Sequence, residues 1–325
     1  MKPYITYVGS FPLDYSKENF ERVVVDVVSI GVNYPALPKL KEFVRMFMDP
    51  LIEAGVVKAV SGGYVVSDAD RFSSVKPYIQ EYVWAMDLIK NRFKDKIYGV
   101  RAAVTGPFTL ASQIYRSEKT SLSNSVLADR EFIRRLTDYV ASAVKAVKDL
   151  GVTLIELTEP ILSVIVGATL IMFKYTGDEI IDVLSRVFKV KCLNAIHVCG
   201  PISPKLASIL LNSEVKILDH EHSDIPRNFE VYSRKLLEEH DKFIAVGVVS
   251  SKNPKVEDIN DVKNLVKKSI TTYGDRIFAF KPDCGFAGLK GFFKSNEEAY
   301  KVSIEKLKLI VQAVKESKTY ESSNL

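Results

Sequence analysis

Four residues of this 325-residue chain combine a metal-binding side chain with a strand-end setting: His197, Cys199, Glu221 and Cys284. They occupy Asn-Ala-Ile-His-Val-Cys-Gly (194–200), Asp-His-Glu-His (219–222) and Lys-Pro-Asp-Cys-Gly (281–285). Each segment ends or follows a short apolar run that reads as a β-strand. Two thiolates, one imidazole and one carboxylate suit a zinc ion. An ion so held can take a substrate thiol as thiolate and prepare a nucleophile. The His-x-Cys spacing puts both side chains on one face of an extended segment. The other ligands come from distant sequence, as in catalytic rather than finger-type sites, and paired Cys-x-x-Cys spacing is absent. Spacing leaves the third ligand open, because His220 and His222 flank Glu221 on the opposite face and either can replace it. The plain alternative is a set of buried strand ends with no metal.

These residues need a scaffold that brings strand ends together. Eight apolar, β-branched runs read as strands: 4–9, 56–60, 97–105, 153–157, 193–198, 215–219, 243–248 and 277–281. Helical patterns lie between them, at 132–150, 178–188, 204–211, 228–240, 256–273 and 296–318. In 132–150 apolar residues recur with the 3.6-residue period. Strands alternating with helices argue parallel βαβ units, and eight of them argue a (β/α)8 TIM barrel. The expected layout is one domain over 1–319 and a polar tail at 320–325. The long span between the first two runs carries extra helices at 17–30 and 40–54. In such a barrel catalytic groups sit at the C-terminal strand ends, where His197, Cys199, Glu221 and Cys284 fall. A doubly wound open sheet is the runner-up, but no glycine-rich dinucleotide fingerprint follows an early strand.

Composition narrows the partners. Net charge is +5, from 45 basic and 40 acidic residues. The charges are interspersed, with no Lys/Arg block of the kind that binds nucleic acid. Hydrophobic content of 47% supports a large core. No apolar run reaches the roughly 18 residues of a membrane span; the longest, 161–173, reads as a buried helix. The N-terminus looks like a first strand rather than a leader, so a cytoplasmic protein is expected. Three cysteines cannot build a disulfide framework, and Cys192 reads as a small buried hydrophobe.

Other strand-end features share the same face. Gly9 and Ser10 begin a turn whose N–H groups and hydroxyl suit an anion such as a carboxylate. Thr105-Gly106-Pro107 allows close backbone approach. Glu159, in Thr158-Glu159-Pro160, is either a binding carboxylate or a helix-start acid.

Together these motifs resemble the catalytic C-terminal barrel of cobalamin-independent methionine synthase, in its short archaeal-type form. The resemblance runs through Val8-Gly9-Ser10-Phe11-Pro12, Thr105-Gly106-Pro107, Thr158-Glu159-Pro160, His197-Val198-Cys199 and Pro282-Asp283-Cys284-Gly285. The interval from Cys199 to Glu221 also fits the family's glutamate ligand. The resemblance implies zinc as cofactor and methyl transfer to a zinc-bound thiolate, normally homocysteine, yielding methionine. It implies that Gly9 and Ser10 hold the amino-acid carboxylate. It leaves the donor as a methylcobamide, with or without a corrinoid protein, or a methyl-folate.

Two departures bear on the acceptor. The family's aspartate for the homocysteine ammonium is Thr158 here, and a glutamate doing similar work falls at Arg45. Losing two carboxylates and gaining a cation disfavours an ammonium-bearing substrate and favours an anionic one. Glu156 and Glu159 are the carboxylates that could compensate. The readings are therefore a zinc-dependent homocysteine methyltransferase, a relative acting on an anionic, coenzyme M-like thiol read by Arg45, or a degenerate paralogue that binds without turnover.

Overall fold

The computed structural model describes residues 3–322. Its ten strands are β1 Tyr4–Ile5, β2 Val57–Val60, β3 Gly63–Val66, β4 Arg101–Thr105, β5 Ile114–Tyr115, β6 Leu154–Thr158, β7 Leu193–Val198, β8 Ile217–His220, β9 Phe243–Val249 and β10 Ile277–Pro282. Seven form one parallel sheet in the order β1-β10-β9-β8-β7-β6-β4. Helices follow most of these strands and cover the outer face, so the strands are buried on both sides and read as near-continuous apolar runs. The helix Arg130–Asp149, for example, is capped by Asp129, whose carboxylate accepts from Phe132 N–H.

One expected strand lies elsewhere. The run at 56–60 yields β2, which pairs antiparallel with β3 in a separate three-stranded sheet with β5. The segment 33–39 instead links the two edges of the large sheet. Tyr34 N–H donates to Ile5 O and Lys39 N–H to Gly9 O, while Leu37 N–H donates to Arg101 O and Arg101 N–H to Pro35 O. Pro35 and Pro38 lack N–H groups, so this link is made of isolated bridges rather than a ladder. The same prolines hid it from period-2 pattern reading.

The interior of the curled sheet is layered. Tyr34, Leu154, Ala195, Ile217, Ala245, Phe278 and Ala279 form a small apolar cluster at the N-terminal end. Toward the C-terminal end the inward residues become charged: Arg101, Glu156, Asp219 and Lys281 are all buried. Above them stand the candidate metal-binding residues.

Three further expectations change. The helix expected at 228–240 divides into a short turn at Pro226–Glu230 and a helix at Arg234–Glu239. The apolar stretch 161–173 is not a buried helix. A four-residue helix, Leu162–Ile165, gives way to a loop that exposes Leu170 and Met172; Gly167 and Thr169 interrupt the helical pattern. Of the tail expected at 320–325, residues 320–322 continue the last helix, Asn296–Ser322, and 323–325 lie outside the described residues. No helix among the described residues is long and apolar enough to cross a membrane.

Candidate metal centre

His197 and Cys199 leave the C-terminal end of β7, and Cys284 follows β10 by two residues. One ligand atom from each lies within 4.8 Å of the other two. His197 Nε2 is 2.9 Å from Cys199 Sγ, and Cys199 Sγ is 3.2 Å from Cys284 Sγ, too far for a disulfide. All three cysteines are free thiols. Cys192 stands at the opposite end of β7 from Cys199.

The charged layer below sets the chemistry of this trio. Asp219, opposite His197 in the β7–β8 register, accepts from His197 Nδ1 at 2.6 Å. It also accepts from Arg101 at 2.5 Å and Lys281 Nζ at 2.8 Å. Burial opposes its charge, yet Lys281, Arg101 and His197 hold its carboxyl well below the usual range. With Nδ1–H committed to Asp219, His197 presents Nε2 to the thiols, the tautomer a metal requires. Burial opposes protonation of His197, but Asp219 and Cys284 outweigh it and raise its pKa. The two sulfurs are in contact, and either can donate to the other. The Cys199 S–H held against it keeps Cys284 well below the ordinary thiol value, against the effect of burial and with the aid of His197. The same bond, with burial, drives Cys199 well above it. The trio thus brings two cysteine sulfurs and an imidazole into contact, with Cys284 held toward ionisation, a donor set that fits zinc once both thiols ionise.

Glu221 follows β8 and is fully buried. It is the member of the Asp-His-Glu-His segment whose charge reaches Cys199. Its carboxylate accepts from Gly200 N–H at 3.1 Å and Lys252 Nζ at 2.9 Å, and it stands outside the converged trio. His220 and His222 turn away. His220 stacks on Tyr232, and His222 Nε2 lies 3.2 Å from Tyr273 Oη. Burial pushes their pKa values down to about 4 and about 3.

Asp283 ties the site's loops together. Its carboxylate accepts from the N–H groups of His222, Ser223 and Asp224. Asn228 does likewise for the other side, donating to Gly200 O and Glu221 O. The Gly9-Ser10 turn joins the same rim, since Ser10 O accepts from Phe286 N–H at 2.9 Å.

The expected substrate residues fare unevenly. Thr158 is buried one strand from His197, and its hydroxyl donates to Glu156 at 2.8 Å. Glu156 is itself paired with Arg101. Glu159 is fully buried and accepts from Phe108 N–H, Thr109 N–H and Thr109 Oγ1. It caps the neighbouring helix Pro107–Gln113, not its own, and a Cβ at Gly106 would collide with its carboxylate. Neither glutamate is free to compensate for Thr158. Arg45 is displaced from the site altogether. Its side chain is 68% exposed, pairs with Asp49, and borders a surface cleft of about 400 Å³ with Gly62, Gly63 and Tyr64. Lys39 joins Lys281 and Lys252 as a cation near the centre; a lysine after a proline-broken loop reads as solvated, so no sequence pattern singles it out. It is 3% exposed, and its ammonium feels the charge of Cys284 and Cys199.

Known proteins share this architecture. A methionine synthase of Methanocaldococcus jannaschii is 26% identical over 340 aligned residues, covering 95% of this chain and 98% of that protein. A methionine synthase of Methanothermobacter marburgensis is 26% identical over 302, covering 87% and 93%. For Methanothermobacter thermautotrophicus the figures are 28% over 206 residues, 63% of this chain and 62% of that protein. Among solved structures, a B12-independent methionine synthase from Shewanella sp. W3-18-1 in complex with selenomethionine superimposes with a TM-score of 0.68 at 15% identity, covering 99% of this chain and 100% of that one. A methyltransferase from Methanosarcina mazei gives 0.65 at 15% identity, covering 97% and 94%. The family model for the catalytic domain of cobalamin-independent synthase matches residues 89–315, which include the whole trio, and the chain belongs to that family.

Proposed function

We propose that this protein is a zinc-dependent thiol S-methyltransferase on a (β/α)8-type barrel closed by the segment 33–39. Homocysteine is the default acceptor, giving methionine. The convergence of His197, Cys199 and Cys284 carries the reading. These three would hold the metal, with Glu221 the oxygen donor nearest to hand. Zinc bound there lowers the pKa of a substrate thiol, so that thiolate is present at neutral pH. The chain's own residues do the rest. Asp219 fixes the His197 tautomer, and Arg101 and Lys281 keep Asp219 charged. Asp283 holds the loop that carries Glu221 against the loop that carries Cys284. Gly9 and Ser10 offer a turn for an acidic group on the acceptor. The methyl donor is a methylcobamide, with or without a corrinoid protein, or a methyl-folate.

A second reading, an anionic coenzyme M-like acceptor, draws support from Thr158 and from the pairing of Glu156 with Arg101, which leave neither position to take an ammonium group. X-ray absorption at the zinc edge tests the main reading. Zinc that gains a sulfur neighbour on adding homocysteine supports it; zinc whose shell stays unchanged moves the acceptor to other thiols. Protein that binds no zinc refutes the reading and leaves a degenerate paralogue.

A further inference from the structure

Among the described residues four lysines are buried: Lys39, Lys242, Lys281 and Lys306. Three have their ammonium groups fully engaged. Lys242 donates to Ser213 O and Val215 O, Lys281 to Asp219 and two carbonyls, and Lys306 to Glu257 and Lys255 O. Lys39 has no hydrogen-bond or ion-pair partner among the described residues. An ammonium group that no protein oxygen pairs is left for water or a ligand to complete.

Its placement says where that partner arrives. Lys39 bridges Ser10 across the seam between β1 and the segment 33–39. Its stem passes over Gly9, whose φ of +117° and missing side chain leave room for it. A Cβ at Gly9 would sit 3.4 Å from Lys39 Cε. The same Ser10 turn packs against Gly285, the residue after Cys284; burial lowers the pKa of the ammonium to about 8, Cys284, Glu42 and Cys199 favour its charge and Arg101 opposes it. The acidic groups around the centre are already committed: Asp219 to Arg101, Lys281 and His197, Glu156 to Arg101, Glu221 to Lys252 and Gly200, and Asp283 to three backbone N–H groups. Glu42, whose charge also reaches Lys39, accepts from Arg45 N–H, so among these groups Lys39 is the cation without an oxygen partner.

We infer that Lys39 is the specificity-determining residue of the acceptor site, taking an acidic group (carboxylate, sulfonate or phosphate) on a thiol that carries no ammonium group. The inference rests on the thiol-methylation reading and, within it, takes the second, anionic acceptor over homocysteine. A buried charge pair of this kind separates charged from neutral ligands by about tenfold or more. An ammonium near Lys39 is repelled, so an amino thiol is the worst of the three classes.

Calorimetric titration of the zinc-loaded protein with 3-mercaptopropionate, 2-mercaptoethanol and cysteamine tests this, alongside zinc-edge absorption for each thiol. Native protein and K39R should bind mercaptopropionate about tenfold tighter than mercaptoethanol, with cysteamine weakest. K39M should equalise the first two while zinc content and circular dichroism stay unchanged; if K39M fails to fold, K39Q is read the same way. Equal affinity for mercaptopropionate and mercaptoethanol in native protein, or a preference that survives K39M or K39Q, overturns the inference. In that event thiols still add sulfur to the zinc and the methyl-transfer reading stands. If no thiol adds sulfur to the zinc, both fall together.

Discussion

Asp219 Oδ1 lies 2.6 Å from His197 Nδ1, and that one contact decides which nitrogen of His197 faces Cys199 and Cys284. Replacing Asp219 by Asn removes the charge that fixes the imidazole and leaves Arg101 and Lys281 without their shared anion. Zinc affinity should fall about 10- to 100-fold, read by chelator competition. Stability should fall by about 3 kcal/mol or more, because two buried cations lose their partner. Native zinc affinity in D219N would show that His197 is oriented by something else.

Cys284 is the member of the trio whose thiol is held well below the ordinary value. C284S should lower bound zinc from near one per chain to near zero and abolish thiol-dependent methyl transfer. Metal analysis and a transfer assay check it. Retained transfer would sink the mechanism.

Lys252 and Glu221 form an ion pair across the site's mouth, 2.9 Å long, with the lysine largely exposed and the glutamate fully buried. If Glu221 contributes oxygen to the metal, Lys252 competes with it. K252M should then tighten zinc by a few-fold and E221Q weaken it by about tenfold or more. Equal zinc affinity in native protein, K252M and E221Q would remove Glu221 from the metal.

Thr158 donates to Glu156, whose charge is taken by Arg101. T158D adds a carboxylate where an ammonium group would need one. Homocysteine should bind about tenfold tighter, and a neutral thiol such as mercaptoethanol should not change. Unchanged or weaker homocysteine binding would count against an altered amino-acid site.

Glu159 gives a pH signature. Burial pushes its pKa up to about 7 despite three donors at its carboxylate. The folded state thus holds its proton over a range where the unfolded chain, with an ordinary value of 4.5, has lost it. Stability from this group is fully present below pH 4.5 and is lost as pH rises through 7. The change is up to about 3 kcal/mol. Denaturant unfolding between pH 4.5 and 7.5 should show E159Q lacking that part of the native slope. An identical slope in both proteins would contradict the assignment.

Most of the scaffold was legible from apolar runs and helical periods, because parallel strands buried on both faces leave a strong signal. The exception is instructive. The run at 56–60 has the β-branched composition of a core strand, yet it folds back on Gly63–Val66 in a separate small sheet. The segment 33–39, with two prolines, has the composition of a loop and joins both edges of the main sheet. Composition reports propensity, whereas membership of the sheet is decided by which chain reaches the two open edges. The trio was legible for the opposite reason, since His-x-Cys and Pro-Asp-Cys-Gly are local patterns at recognisable strand ends. Charge pairing was not. The partners of Glu156, Glu159 and Glu221 lie 31 to 55 residues away, at Arg101, Thr109 and Lys252, and no local pattern announces them. Arg45 was misplaced because its helix begins there and turns it outward.

The first and last strands of the large sheet are neighbours, with Tyr4 opposite Ala279, and Ser10 is bonded to the turn that follows Cys284. The rim of the metal centre therefore joins an early segment, at Ser10, to the late one that carries Cys284. During synthesis, His197 and Cys199 leave the ribosome well before Cys284, and a nascent chain holds at most half of the thiol set. Pairing over so long a loop is slow in folding because closure entropy must be met before the contact forms. Metal capture should accordingly be a late event, coupled to the docking of β10 and its Cys284 turn rather than to formation of β7 alone.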